Sequence, residues 1–190
     1  MQFTLTYSGE LKANGNSTHK HAIRREFHSQ LLMLWEQIPL SQCRYWFDGT
    51  NPKSEIDLNR NVKSFRFVPL ISPSVHAICE LSIFLLKPES PGSVITQAGD
   101  IDNRLKTLFD ALRVPTDNEI PKDAKPALDE DPFFCLLEDD ALISRIEVDT
   151  DRLLKRTEKS TDVHLDIRVL TRPTQIRIGN RVSGSLVLLS

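Results

Sequence analysis

Gly99-Asp-Ile-Asp-Asn-Arg-Leu-Lys-Thr-Leu-Phe-Asp-Ala-Leu112 is the segment around which the other elements arrange themselves. Leu105, Leu108, Phe109 and Leu112 recur at the i, i+3, i+4, i+7 spacing of an amphipathic helix. Two carboxylates, Asp100 and Asp102, flank one apolar residue at the mouth of that helix. Asn103, Lys106, Asp110 and Arg113 fall on another side, with Lys106 one turn beyond Asp102 and able to reach back toward it. Asp and Asn are favoured N-caps, because a short side-chain oxygen satisfies an orphan amide at the positive end of the helix dipole. One carboxylate is enough for capping, so a chemical role for the pair depends on a third carboxylate arriving from elsewhere.

Working outward, the chain alternates strands and helices. Phe3, Leu5 and Tyr7 alternate with polar residues as a first strand, and Ser8 to Thr18 is a loop with its turn at Asn14-Gly15. Ser17 or Thr18 can cap a helix from His19 to Gln37 with the stripe Ile23, Phe27, Leu31 and Leu34 or Trp35; Pro39 ends it. Ser41 to Lys63 is polar and rich in turns, with no regular period. Phe65 to Ile71 and Ala77 to Leu86 read as strands joined by Ser72-Pro73-Ser74, the second apolar on both sides and therefore central. Pro88 to Gly92 breaks that strand. Beyond the central helix, residues 114–134 carry four prolines and read as a long loop, either a flap or a surface insertion.

Leu136 to Ile143 then delivers a carboxylate pair to the start of a strand holding Leu142, Ile146 and Val148. Val163 to Leu170 alternates strictly as a half-buried edge strand or antiparallel partner. Residues 175–190 are either a tail or a little more sheet. The expectation is one domain over residues 1–190, of the α/β (α+β) class, with a small mixed β-sheet packed against helices.

Composition narrows the function classes. A chain of 190 residues with 39% hydrophobic and 26% charged residues and a net charge of -2 describes a globular protein with a core of ordinary size. No apolar run approaches a membrane span, and Met1 to Tyr7 lacks the basic start and apolar core of a signal peptide, so a cytoplasmic protein is expected. Cys43, Cys79 and Cys135 form no C-x-x-C pair; Cys79 lies in an apolar run as a core residue. His19 and His21 have no third and fourth ligand nearby to complete a zinc set. Charge is uneven: Asp129 to Asp151 is acidic with Arg145 its only cation, and Arg152 to Arg181 is predominantly basic. Such a split suits a cation site beside a polyanion-binding surface, and equally two solvated faces.

Hard divalent ions take oxygen ligands, one or two carboxylates with waters and substrate phosphate completing the shell. Asp100 and Asp102, joined by Asp139 or Asp140 from the neighbouring strand start, would make an open acidic site of that kind. Lys106 could then offset charge developing on a phosphodiester.

The order Asp100-Ile-Asp-Asn, Lys106, Phe109-Asp-Ala-Leu112, then Leu137-Glu-Asp-Asp-Ala-Leu-Ile143 before a strand, resembles the signature of RusA-type Holliday junction resolvases. The resemblance covers roughly Gly99 to Val148 and is only topological before that. It implies a homodimeric α/β nuclease that cuts branched or otherwise distorted DNA with Mg2+, or with Mn2+ in its place. It also implies Asp100, Asp102 and Asp140 as metal ligands and catalytic residues, with Lys106 as the fourth catalytic residue. Basic candidates for phosphate contact are Arg24, Arg25, Lys63, Arg66, Arg104, Arg152, Lys155 and Arg156. The chain departs from the family pattern in its length, its proline-rich 114–134 insertion and its acidic balance, the last weighing against junction binding. Two other readings stand beside it: a non-cleaving protein of the same fold that binds a nucleic-acid structure or a partner, and another D-x-D metal enzyme such as a nucleotide-sugar glycosyltransferase, which the absence of a Gly-rich phosphate turn disfavours.

Overall fold

Leu5 and Tyr7 alternate with Thr4, Thr6 and Ser8 along β1 (Gln2–Glu10), so one side of the strand is buried and the other wet. The computed structural model describes residues 1–51, 54–88, 98–157 and 159–175, excepting the side chains of residues 98–100. β1 is followed by α1 (Ser17–Trp35), β2 (Arg60–Val62), β3 (Phe65–Ile71), β4 (Ala77–Lys87), α2 (Ala98–Leu112), β5 (Phe133–Leu137), β6 (Ile143–Arg152) and β7 (Asp162–Pro173). The class is α+β with mixed sheets. A four-stranded sheet has the order β1-β7-β4-β6, antiparallel at its first two pairings and parallel at β4-β6. A three-stranded sheet has the order β2-β3-β5, with β3 and β5 parallel.

The two sheets are joined by two chain runs that travel side by side. β3 passes into β4 through Ser72–His76, and β5 passes into β6 through Glu138–Leu142. Where the runs leave the smaller sheet, the Glu138 amide donates to Ile71 O at 2.9 Å, and Arg60 clamps the Glu138 carboxylate through Nε and Nη2, both at 2.9 Å. Ser72 Oγ donates to the same carboxylate at 2.5 Å. Partial burial raises the Glu138 pKa, but the Arg60 and Ser72 hydrogen bonds outweigh it and hold the group below the usual carboxylate range.

The larger sheet turns Leu5, Leu81, Ile83, Leu165 and Ile167 into one core with α1 and with Leu108, Ala111 and Leu112 of α2. Trp35 at the end of α1 stands against Phe47 at 5.1 Å and Phe134 at 5.6 Å between ring centroids. A second small cluster joins Phe65, Phe67, Ile120, Phe133 and Cys135. All three cysteines are buried and unpaired, Cys79 among the core residues as read.

Several expectations are corrected. The helix expected over His19–Gln37 begins at Ser17, and its cap is Asn16, whose Oδ1 accepts the His19 amide at 2.9 Å, rather than Ser17 or Thr18. The connection read without regular structure holds a 3-10 helix, Leu40–Trp46, and the strand β2. The first of these forms because Leu40, Cys43 and Trp46 are buried together. The proline-rich loop ends two residues sooner than read, at β5, whose five residues are all buried and therefore show no alternation. β4 is central, but only one of its faces is fully buried: Phe84 is 40% exposed on the other. β7 is antiparallel and interior rather than an edge. The sheet or tail expected over 175–190 lies outside the described residues beyond Gln175, as do residues 89–92 of the Pro88–Gly92 break.

Candidate functional site

α2 is amphipathic in the manner expected, yet it buries a wider arc than its apolar stripe. Leu108 and Leu112 are buried with Ala111, while Leu105 and Phe109 are partly buried. Thr107 and Asp110, outside the apolar stripe, are buried where α2 packs on α1. Asp110 accepts from Lys20 Nζ at 2.6 Å and from Arg113 Nη2 at 2.8 Å, and its backbone oxygen accepts from Arg24 Nη2 at 2.8 Å. Burial raises the Asp110 pKa, but these two cations more than cancel that and hold the carboxyl low. The motif's third aspartate is thus a packing hub. Nothing in the sequence period separates it from a surface charge, and only the Lys20, Arg24 and Arg113 cations around it would have hinted at burial.

What remains outside this packing is the candidate chemistry. Asp102 and Lys106 are exposed one turn apart on the first turns of α2. Asp140 is exposed on the turn between β5 and β6. None of the three side chains makes a hydrogen bond or ion pair with another described residue. Asp139 differs: its Oδ1 accepts the Ala141 amide at 2.9 Å and caps the turn. That leaves Asp140 as the uncommitted member of the pair. Glu138 is taken up by Arg60 and Ser72.

The donor chemistry of Asp102 and Asp140, exposed carboxylates with unspent lone pairs, fits a hard divalent cation. Among the described residues no three His, Cys, Asp or Glu side chains stand together to hold an ion, and the Asp100 carboxylate is outside the described side chains. α2 meets the β5 run at its C-terminal end, through an Arg113–Leu137 bridge and the Val114 amide donating to Leu137 O at 2.9 Å. His19 and His21 go separate ways: His19 Nε2 accepts the Lys12 amide at 3.2 Å, and His21 lies edge-on to Phe65 at 5.2 Å.

The basic candidates divide by burial. Arg24 is 1% exposed and donates inward, which corrects its expected role as a phosphate contact; Arg104 is also buried. Arg25 pairs with Glu130, Arg66 with Asp131, and Lys63 donates to Ile120 O, so each ties the 114–134 segment down. The loop read as a flap or insertion is therefore stitched to α1 and to the smaller sheet. Arg152 at the end of β6, and Lys155 and Arg156 on the β6–β7 connection, are exposed; the connection crosses the end of β4, where the Leu153 amide donates to Lys87 O at 2.7 Å. Lys87 closes β4, so this basic connection lies at the end of the sheet from which the chain departs toward α2.

Among the described residues no helix is long and apolar enough to cross a membrane. In comparisons with known proteins, the chain matches no family model, no curated protein and no solved structure.

Proposed function

We propose that this chain is a RusA-like, Mg2+-dependent endonuclease that hydrolyses phosphodiester bonds in branched or distorted DNA, acting as a homodimer, with Mn2+ able to replace Mg2+. The observation that carries the reading is the pattern of spent and unspent charge. In the two acidic motifs Asp110, Glu138 and Asp139 are engaged by internal donors, whereas Asp102, Lys106 and Asp140 face solvent with no partner among the described residues. Structural carboxylates find donors; carboxylates left bare on ordered elements are available to a ligand.

In this reading Asp100, Asp102 and Asp140 hold the ion, and Lys106 stabilises charge at the scissile phosphate. When bound, the ion supplies an activated water and a counter-charge for the departing oxygen. Arg152, Lys155 and Arg156 provide exposed cations for neighbouring phosphates.

The test is a labelled four-way junction incubated with Mg2+ and the purified chain beside Asp102→Asn and Asp140→Asn. Wild-type cleavage that needs metal is expected, reduced in each variant by on the order of 100-fold or more. Absence of metal-dependent cleavage of any branched substrate overturns the reading. Gel-shift binding without cleavage replaces it with a non-cleaving binder.

A further inference from the structure

Asp140 stands on a turn that is pinned at both ends. At the near end, the Glu138 amide donates to Ile71 O at 2.9 Å and continues the β3–β5 pairing by one residue. At the far end, where the β4–β6 pairing slips by one residue, Ser144 Oγ donates to Cys79 O at 2.9 Å. Between these anchors Asp139 accepts the Ala141 amide through its side chain and the Leu142 amide through its backbone oxygen. The Asp140 side chain takes no part in this bonding among the described residues.

Arg60 ties the near anchor to the smaller sheet, and its five N–H donors are all committed. Nε and Nη2 grip the two Glu138 oxygens at 2.9 Å each, and Nη2 also reaches Ser74 Oγ at 3.1 Å. Nη1 donates to Asp57 O at 3.0 Å and to Asn59 O at 2.9 Å. Ser72, fully buried, adds its hydroxyl to the same carboxylate. A planar fork that holds a carboxylate through both oxygens fixes direction as well as distance, so the backbone leaves Glu138 in one orientation. With both oxygens engaged, Glu138 is an anchor rather than a ligand.

We propose that Arg60, acting through Glu138 together with Ser72, is a positioning residue for the metal ligand Asp140. The inference rests on the metal-dependent reading above and adds to it the groups that hold one of its carboxylates in place. Carboxylates from separate elements share an ion tightly only when each is already placed as the ion arrives, since ordering a loose turn would be subtracted from the binding. The sign of one substitution separates this role from simple electrostatics. Removing a cation near a metal site tightens metal binding if Arg60 acts through its charge, and weakens it if Arg60 acts through the turn.

The experiment is Mn2+ binding to the full chain without DNA, followed by loss of the free-ion electron paramagnetic resonance signal, for the wild type, Asp140→Asn, Arg60→Met and Ser72→Ala. Arg60→Met should weaken binding about 10- to 100-fold, and Ser72→Ala should weaken it by a smaller factor. Hydrogen exchange of the metal-free proteins is the second readout. In Arg60→Met the Ala141 and Leu142 amides should exchange at least about tenfold faster than in the wild type, while β1 and β7 keep their protection and show that the fold is intact. If β1 and β7 lose protection as well, Ser72→Ala decides by the same two readouts. Unchanged or tighter Mn2+ binding, or turn amides that exchange as in the wild type, overturns the proposal and leaves the metal reading standing. A wild type that binds no Mn2+, or whose binding Asp140→Asn leaves unchanged, overturns that reading and this role with it.

Discussion

Arg24 and His21 sit one turn apart on α1, and each is buried for a different reason. Arg24 donates to Asp110 O and, at 3.3 Å, to His21 Nδ1. With Nδ1 accepting, His21 carries its proton on Nε2, which has no hydrogen-bond partner among the described residues and lies among Phe65 and Phe133. Burial, and then the Arg24 and Arg25 cations, push its pKa down to about 4. The folded state therefore binds fewer protons at this site than the unfolded chain does between pH 6.5 and about 4. Its contribution to stability is fully present above pH 6.5, is lost as pH falls through that window, and levels off below it. From pH 7.5 to pH 5 the His21 share of the loss should be about 2 kcal/mol. Urea unfolding at the two pH values, with His21→Leu as the control, measures it; an equal acid loss in the variant would remove His21 as the cause. Neither residue's burial is legible in the sequence. Arg24-Arg25 reads as a surface pair, and only the packing of α2 across α1 turns one of them inward.

Elements were legible where burial is one-sided. β1, β7 and α2 announce themselves because their apolar period matches a half-buried strand or helix. β5 does not, because all five of its residues are buried and a run without alternation beside Pro132 looks like loop. The D-x-D and D-D motifs were likewise readable as local patterns, whereas the sorting of Asp110, Glu138 and Asp139 into structural roles depends on donors from distant segments. Gly15 shows the same limit in one turn. Asn14-Gly15 reads as a turn, and it is Asn14 that takes the left-handed conformation at φ 55°. Gly15 is needed for closeness: its amide donates to Thr107 Oγ1 at 3.0 Å, and an added Cβ would lie 2.6 Å from His19 Cδ2 and 2.8 Å from Thr107 Cγ2. Gly15→Ala should therefore wedge α1 from α2 and cost about 1–3 kcal/mol, visible as a lowered Tm. A variant as stable as wild type would show that the two helices yield without penalty.

At the scale of the whole molecule, a net charge of -2 leaves no general attraction for a polyanion, so any nucleic-acid affinity has to come from a local surface. The structure narrows that surface. Of the eight cations singled out as candidate phosphate contacts, Arg24 and Arg104 are buried, and Arg25, Lys63 and Arg66 hold internal partners. Arg152 at the end of β6, and Lys155 and Arg156 on the connection across the end of β4, remain exposed. If these three carry the phosphate contacts of the proposed nuclease, each chain releases the counterions of about three phosphates, and log K against log salt should fall with a slope of about -3 per bound chain. The measurement is junction binding in Ca2+ across a salt series, so that binding is read apart from cleavage. Replacing all three residues with alanine should flatten the slope toward zero while leaving the unfolding midpoint unchanged, since none of the three supports the core. A slope that survives the triple replacement would move the contact surface elsewhere. Cleavage persisting in that variant at saturating protein would separate the surface that gathers DNA from the carboxylates that act on it.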